Sequence, residues 1–326
     1  MTPRPSEQGA ALLTVLLLVA VMTVLAAAAL ERLKLATHLT GNGAAIEQAR
    51  AYALAAETVA RYRIGDLIQR DAARTTLEGN WAGRAANFPI DGGIATARLD
   101  DGGNCFNLNS LVDAGQTGVL VARPVAIVQF TRLLTLLELP GRDAEVIASA
   151  AADWIDTDAL PIVAGAEDAA YSNAVVTLKT ANTLMSDASE LRVVAGMTPA
   201  YYIRVRPFVC ALPVTDLTAI NVNTLRPDQG VLLSMLQPGL DPARAAQAIA
   251  ARPVGGWDSL TTFWNLSPLA GLPPVSDARG QLGLATRWFD LEITIELAGA
   301  ELQEHALIDA EKKPAKLARR SYGERS

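Results

Sequence analysis

Histidine and cysteine are scarce in this chain of 326 residues, which contains only two of each. His38 lies near the start and His305 near the end, so neither a histidine-based triad nor a zinc site is expected. Cys105 and Cys210 are too far apart in the sequence for a local metal-binding pair. Outside the cytoplasm we expect them to form a disulfide if they lie on neighbouring strands, whereas a reducing compartment would leave both as small buried side chains.

Aromatic residues are also few. They make up 5% of the chain, and its six phenylalanines and five tryptophans are scattered singly. The acidic residues are numerous enough for glycosidase chemistry, but this pattern does not indicate an aromatic-lined cleft for a sugar. The glycine pairs at 102–103 and 255–256 lack the context of a phosphate-binding loop. We therefore predict a protein that is not an enzyme.

An excess of positive charge is absent as well. The chain has 28 lysines and arginines against 34 acidic residues, which gives a net charge of −6. Nucleic-acid binding depends on a basic face that neutralises phosphates. We therefore do not expect nucleic acid to be the main partner.

One long hydrophobic run is present, the 21 residues from Ala10 to Leu30, which carry no charged side chain. As a helix, this run is long enough to cross a hydrocarbon layer of about 30 Å, and no second run of this kind follows. A secretory signal has its small cleavage-site residues after the apolar core, whereas Gly9 and Ala10 stand before it. A short head is normally retained inside, so the sequence predicts one membrane span with the large domain outside the cytoplasm.

Two further regions are predicted to be helical. The helix of the span continues past Gly41 and Gly43, which weaken its middle, and its second part (Ala44–Gln69) is expected to pack on the domain. The stretch from about 112 to 200 is rich in alanine and leucine and also favours helices.

Strands are predicted in three segments by alternation and flanking turn residues: Asn87–Asp101, Ala200–Leu212 and Trp288–Leu297, which alternates most clearly. The charged tail, residues 311–326, is expected to be disordered.

An internal repeat is visible in the helical region. Phe106–Leu111 (FNLNSL) matches Ile220–Leu225 (INVNTL), and each copy is followed by a helical segment, a Pro-Gly turn and an alanine-rich helix. Such helix pairs resemble helix-hairpin-helix modules, which bind DNA in many proteins. The surroundings lack the lysines that DNA binding needs, so the pattern favours a role in packing.

The paired asparagines of this repeat, Asn107 with Asn109 and Asn221 with Asn223, have two interpretations. They cap the helix that follows, a position at which asparagine is preferred, or they form a ligand-binding edge. The sequence favours the cap.

An acidic cluster lies in the helical region, with five carboxylates within the sixteen residues from Asp153 to Asp168. Calcium binds six to eight oxygen ligands, and so many carboxylates in a loop suit it. The spacing does not match the EF-hand loop. A solvated acidic loop, or a helix-end cap formed by Asp153, is the alternative.

Taken together, these motifs resemble the minor pseudopilin K family of type II secretion systems. Gly9-Ala10 before the apolar helix is similar to the processing signal of type IV pilins and pseudopilins. Asp153–Asp158 (DWIDTD), Gly165–Asp168 with Tyr171, and Gly255–Leu260 (GGWDSL) are similar to the family signature, as are both copies of the repeat. The resemblance covers residues 4 to 297.

The resemblance implies an α+β fold. A long N-terminal helix packs on a small antiparallel sheet, as in pilins, and a large α-helical domain with helix-hairpin-helix-like modules is inserted. The expected organisation is a leader (1–9), a transmembrane helix (10–30), the pilin-like helix and first strands (31–111), the inserted helical domain (112–200), a second helical module with the closing strands (201–310), and the tail (311–326).

The resemblance also implies a function. The subunit lies at the tip of the type II secretion pseudopilus and initiates or caps filament assembly, for export of folded proteins across the outer membrane. Its partners are the minor pseudopilins I and J, together with H and the major pseudopilin G. Prepilin peptidase cuts between Gly9 and Ala10, the new amino terminus is methylated, and the chain is held in the inner membrane with its C-terminal domain in the periplasm. Calcium is implied in the acidic region, with Asp156, Asp158, Glu167 and Asp168 as its first candidate ligands.

Thr14 is the residue that departs from the wider pilin pattern. Most pilins and pseudopilins carry glutamate at this fifth position after the cut, whereas the K subfamily lacks it. Its absence is consistent with a tip position, where no subunit lies above, because a carboxylate within the membrane is costly without a cationic partner. Two alternatives stay open, a signal-anchored periplasmic enzyme and a periplasmic protein that binds or takes up DNA through the hairpin modules.

Overall fold

The computed structural model describes residues 5–115, 118–172, 178–273 and 280–323. Within these residues the helices are α1 (Pro5–Arg70), α2 (Pro124–Leu136), α3 (Gly141–Ile155), α4 (Asp168–Tyr171), α5 (Pro199–Val205), α6 (Gly230–Leu236), α7 (Pro242–Ala250) and α8 (Leu260–Trp264). The strands are β1 (Ala85–Ile90), β2 (Gly93–Asp101), β3 (Phe106–Asn107), β4 (Val112–Asp113), β5 (Val121–Ala122), β6 (Val209–Cys210), β7 (Ile220–Asn221), β8 (Leu282–Gly283), β9 (Trp288–Leu297), β10 (Ala300–Asp309) and β11 (Lys316–Tyr322).

The N-terminal helix α1 is continuous over 66 residues, a length of about 100 Å at 1.5 Å per residue. Gly41 and Gly43 do not interrupt it, since glycine costs a helix only about 1 kcal/mol relative to alanine. Among the described residues, α1 is the helix that is long and apolar enough to cross a membrane. From residue 11 to residue 44 it is exposed, whereas Ala49, Ala53 and Ile64 in its second part are buried against the sheet.

The sheet has five antiparallel strands in the order β1-β2-β9-β10-β11. The predicted strand Trp288–Leu297 is confirmed with the same bounds as β9. Its alternate side chains, including Ile293 and Ile295, are buried against α1. The predicted segment Asn87–Asp101 is a hairpin rather than one strand, because Asp91 and Gly92 form a two-residue turn in which Gly92 has φ of +78°.

The prediction of a disordered tail is wrong over Lys316–Tyr322, which form the edge strand β11. Simple alternation is interrupted in this strand, because its register against β10 shifts between Leu307 and Ile308. Leu317 packs on the core of the sheet, and Arg320 pairs with Glu57 of α1, whose side chain is 3% exposed. The charged composition of the tail therefore does not indicate this strand, in which Arg320 faces the buried carboxylate of Glu57.

The predicted strand Ala200–Leu212 is also wrong over most of its length. Pro199–Val205 form the helix α5, and strand structure is limited to Val209–Cys210. The Thr198 hydroxyl accepts a hydrogen bond from the Tyr201 amide, with Pro199 at the first helical position. These two helix-start signals outweigh the alternation that follows them.

The described residues between β2 and β9, within 102–287, form a helical region, which extends over the predicted insertion (112–200) and the second helical module predicted within 201–310. It contains two modules that follow the sequence repeat. In each, a short strand leads to a helix pair with a Pro-Gly turn, α2 with α3 and α6 with α7, and a short parallel partner strand closes the module. The modules share one hydrophobic core, in which the Phe106 and Phe130 rings stack with centroids 4.8 Å apart.

The helical region leaves and rejoins the sheet at one point, where a network of polar side chains is buried; we call it the junction. The Asp101 carboxylate, at the end of β2, accepts hydrogen bonds from the Thr224 and Thr286 hydroxyls. Asn104 donates to the Thr224 hydroxyl (2.9 Å) and accepts from the Asn221 amide (2.9 Å). Asn221 in turn donates to the Thr286 hydroxyl (2.8 Å), so the junction ties the second module to both strands that flank the insertion.

Removal of the Asp101 carboxylate is expected to destabilise the protein. Asp101→Ala leaves two buried hydroxyl donors without their acceptor, which typically costs about 2–4 kcal/mol in a buried network. Asp101→Asn retains an oxygen acceptor and should lose less. The measurement is the free energy of unfolding of the full chain in detergent.

As a control, Glu296→Ala removes an exposed carboxylate from β9 and should change this free energy by less than about 0.5 kcal/mol. Equal stabilities of Asp101→Ala and Glu296→Ala would contradict the role of the junction.

Candidate functional site

The candidate site is the acidic cluster that follows α3. Asp156 caps the C-terminus of this helix, and the chain then turns through a loop that returns at Glu167. One carboxylate oxygen from each of Asp156, Asp158 and Glu167 lies within 4.8 Å of the others. The structure thus brings together three of the four predicted ligands.

The fourth predicted ligand, Asp168, lies outside this group. It is the first residue of α4, and its carboxylate accepts hydrogen bonds from the Thr180 amide (2.9 Å) and the Thr180 hydroxyl (3.0 Å). The backbone hydrogen bond lowers its pKa. Asp168 therefore holds the segment at Thr180 against the loop instead of facing the cluster.

Burial without partners distinguishes this cluster from a solvated loop. Asp153, Asp156 and Glu167 are at most 6% exposed. Both carboxylate oxygens of Asp156, one of Glu167 and one of Asp153 are buried with no hydrogen-bond partner among the described residues. The other Asp153 oxygen accepts from the Ile162 amide (3.3 Å), so this side chain braces the loop, and a Cβ on Gly165 would lie 1.9 Å from its unpartnered oxygen.

The charge state of the cluster follows from this burial. Burial raises the pKa of Asp156 to about 7, with a further contribution from the charges of Asp158, Asp153 and Glu167. Burial also raises the pKa of Asp153 and, against a hydrogen bond from Thr180, that of Glu167. Without a cation, the Asp156 carboxyl therefore keeps its proton up to a pH of about 7, because its pKa is raised to that value.

The donor set fits a calcium ion. Oxygens that each lie about 2.4 Å from a common ion are at most about 4.8 Å apart, and one oxygen from each of the three carboxylates lies within 4.8 Å of the others. An ion at their centre would provide the partner that the buried oxygens of Asp156 and Glu167 lack. Asp156, Asp158 and Glu167 are the residues that would hold it.

The repeated asparagines bind backbone in equivalent ways. Asn107 caps the short helix that follows it, as predicted, by accepting from the Asn109 amide (3.2 Å). Asn109 accepts from the Met185 amide (2.7 Å) and donates to the Met185 carbonyl. In the second module Asn221 accepts from the Asn223 amide, and Asn223 binds the amide and the carbonyl of Trp257. These side chains are buried and engaged, so they hold loops and do not form an open edge.

The two cysteines lie where the first module closes. Cys105 immediately precedes β3 and Cys210 belongs to β6, which pairs with β3 in parallel. Their sulfur atoms are joined in a disulfide. The neighbouring strands on which the sequence prediction depended are therefore present.

Gly9 and Ala10 lie in the first turns of α1, and cleavage between them stays a prediction. Thr14 lies one turn further on, where its hydroxyl donates to the Ala11 carbonyl (2.8 Å). This local bond satisfies the hydroxyl within an apolar helix.

Sequence reasoning missed a buried ionic group beneath the sheet. Glu57 of α1 and Glu304 of β10 are buried, and Arg320 of β11 forms ion pairs with both. Burial raises the pKa of Glu304. No local sequence pattern predicts this group, because Glu57 and Arg320 are 263 positions apart in the sequence.

Comparison with protein families gives two matches within the helical region. Two family models described as type II secretion system (T2SS), protein K match residues 104–214 and 220–285. These boundaries coincide closely with the two structural modules.

Relatives of known name are similar over nearly the whole chain. Type II secretion system protein K of Pectobacterium carotovorum subsp. carotovorum is 37% identical over 330 residues, which is 98% of each chain. The protein of the same name from Klebsiella pneumoniae is 36% identical and covers 97% of each chain. Among solved structures, the GspK-GspI-GspJ complex of the enterotoxigenic Escherichia coli type 2 secretion system contains a chain with a TM-score of 0.76 and 31% identity. The match covers 86% of this chain and 97% of that one.

The pKa of Asp156 predicts how stability depends on pH and calcium. Its pKa is about 7 in the folded state and 3.8 as the ordinary value, so without calcium the folded form retains a proton that the unfolded chain releases. This contribution to stability is complete below the unfolded pKa and is lost as pH rises through about 7. The melting temperature in a chelator should therefore fall with rising pH, and calcium should raise it more at about pH 8 than at about pH 5.

Asp156→Asn should remove most of the calcium effect and flatten the fall with pH. Glu145→Gln removes an exposed carboxylate from α3 and should leave both unchanged. The measurement is the melting temperature of the full chain in detergent across this pH range. An equal calcium-induced rise in the wild-type chain and in Asp156→Asn would contradict the assignment of these ligands.

Proposed function

This chain belongs to the type II secretion system protein K family, and we propose that it is the minor pseudopilin that initiates or caps the pseudopilus at its tip. The observation that carries the proposal is the similarity to the GspK chain of a GspK-GspI-GspJ complex, over 86% of this chain. The shared architecture is a long helix on a small antiparallel sheet, with a helical insertion. The DNA-binding alternative finds no support in either kind of comparison.

The partners follow from the same similarity. We propose that minor pseudopilins I and J bind this chain directly, and that pseudopilins H and G follow in the filament. Since the family is named as a component of the type II secretion system, we propose that this chain acts by assembly and positioning.

The placement in the cell is proposed from α1. Its apolar first part suits a single-pass anchor in the inner membrane, with the remaining domain in the periplasm. A disulfide between Cys105 and Cys210 is compatible with an oxidising compartment such as the periplasm. In this proposal prepilin peptidase first removes residues 1–9, and the Ala10 amine is methylated. The helix then leaves the membrane when the filament assembles.

The helical region explains why this subunit ends a filament. It occupies residues 102–287, between two adjacent strands of the pilin-like sheet, so it adds a second body to the usual filament unit. A further subunit stacked above would meet this body. Calcium bound by Asp156, Asp158 and Glu167 is proposed to stiffen the loop after α3 within that region.

Co-purification tests the proposed partners. The full chain, tagged at its C-terminus, is expressed with I and J from the same secretion system and purified in detergent. We expect a complex with equal amounts of the three proteins. As the control, I and J expressed without this chain should not bind the resin. Recovery of the chain without I and J, although all three are present in the membrane, would contradict the proposal.

Processing is predicted to depend on Gly9. After co-expression with prepilin peptidase, intact-mass spectrometry should find a chain that begins at Ala10 and carries one extra methyl group. Gly9→Val places a β-branched side chain at the cleavage point and should leave the full-length chain. Thr2→Val, in the head but away from the junction, serves as the control and should be cleaved normally. A wild-type chain that begins at Met1 beside a demonstrably active peptidase would contradict the prediction.

A further inference from the structure

The helical region contacts the sheet from both sides, one through each module. Successive residues of a strand point to opposite faces of a sheet. On β10, Ile308 packs with α1, whereas Leu307 packs with Leu212, which follows β6 of the first module. The first module therefore meets the sheet on the face opposite α1.

The second module meets the other side, at the end of α1, where Thr75 of the connection to β1 (residues 71–84) is 3% exposed. The Thr75 amide donates to the Leu284 carbonyl (2.8 Å), and the Thr75 hydroxyl accepts from the Thr286 amide (3.0 Å). The Thr75 carbonyl accepts from the Asn221 side chain (2.9 Å). Since Asn221 and Thr286 belong to the junction, Thr75 joins the end of α1 to this network.

The next residue, Thr76, fits closely against the same module. A Cβ on Gly256 would lie 2.9 Å from the Thr76 methyl carbon, and Gly256 has φ of +75°. Glycine adopts this backbone conformation without strain and leaves room for the methyl group. Beyond it, the Trp81 indole donates to the Thr76 carbonyl (2.7 Å), and its ring packs on Phe289 of β9 with centroids 5.4 Å apart. The connection from α1 to β1 is thus held by the sheet and by the helical region together.

On the face opposite α1, the polar contact is made by Arg319 of β11. Its guanidinium donates to the Ser186 carbonyl and to the Ala211 carbonyl (2.9 Å), both of which belong to the helical region. Its neighbour Arg320 points to the other face, where it pairs with Glu57 of α1. Two consecutive residues of one strand therefore bind the helical region on one face and α1 on the other.

Contacts on opposite faces restrain rocking of the helical region. A region joined to a sheet through two neighbouring strands can rock about the end of the sheet, because relative motion is the default for domains with a limited interface. Rocking away from α1 would break the hydrogen bonds of Thr75, and rocking in the opposite direction would break those of Arg319.

We propose that Thr75 and Arg319 are positioning residues, which hold the helical region from opposite faces of the sheet and so fix its angle to α1. This inference rests on the proposed function and deepens it. A subunit that ends a filament must keep its helical region across the path of the next subunit, and a fixed angle to the long helix ensures this.

Double electron–electron resonance measures this angle in the full chain, purified in detergent with its disulfide intact. Spin labels are attached to unnatural ketone side chains, so that the cysteines are not disturbed. The labels replace Tyr62 of α1 and Val128 of α2, which are 70% and 58% exposed. We expect one narrow distribution of distances between the two labels.

Thr75→Val removes the hydroxyl acceptor of the Thr286 amide and should widen this distribution at least about twofold, because the helical region gains freedom to rock. Thr75→Ser keeps the hydroxyl and should give the original width. Thr58→Val is the matched control, since it removes an exposed hydroxyl that bonds the Leu54 carbonyl within α1. It should leave the distribution unchanged.

Arg319→Gln supplies the second variant, on the opposite face, and should also widen the distribution. Arg142→Gln removes an exposed charge from α3 and should not. A residue that only stabilised the fold would lower the melting temperature and leave the distances unchanged, so an unchanged width in folded Thr75→Val or Arg319→Gln would overturn the inference. The measurement needs no partner, so this failure is distinct from a failure to co-purify with I and J, which would contradict the proposed function.

Discussion

The arrangement of the molecule depends on how the helical region is joined to the sheet. Strands β2 and β9 are hydrogen-bonded neighbours, with Asp101 opposite Phe289, although the entire helical region separates them in sequence. The chain must therefore leave the sheet and return to it at one point. The Gly102 amide donates to the Trp288 carbonyl there (2.9 Å), and the Asp101 carboxylate joins hydroxyls from both sides of the insertion. This junction keeps the sheet continuous and also fixes the direction in which the helical region projects.

The same chemistry recurs within the helical region. In each module an asparagine side chain binds both the amide and the carbonyl of a distant residue, Asn109 with Met185 and Asn223 with Trp257. A primary amide suits this task because it carries one acceptor and two donors. Gly256 shows how closely the second loop fits, because a Cβ there would lie 2.8 Å from the Asn223 side-chain oxygen. These buried amides thus make the helical region rigid although its helices are short. The region needs such rigidity if it is to prevent a further subunit from stacking above it.

Sequence reasoning succeeded for β9 and the asparagine repeat, whose patterns can be recognised within about ten residues. Two local signals were missed, the Asp91-Gly92 turn inside the predicted strand Asn87–Asp101 and the helix start at Thr198 and Pro199, and other elements depend on distant partners. The position of β11 depends on Glu57, which is far away in the chain. The arginines of β11 therefore led to a prediction of disorder from sequence alone. In the acidic cluster, Asp168 was predicted as a calcium ligand together with Glu167, its neighbour in the sequence. Both carboxylates accept hydrogen bonds from Thr180, but only Glu167 also places an oxygen within 4.8 Å of the Asp156 and Asp158 carboxylates.

The central claim is that this subunit ends the filament because its helical region, fixed at the junction, occupies the place of a further subunit. Gold labelling of a C-terminal tag on isolated pseudopili, viewed by electron microscopy, tests it most directly. The account predicts label at one end of each filament and none along its length. Label distributed along the filaments would contradict it, because internal copies of this chain would show that subunits stack above its helical region.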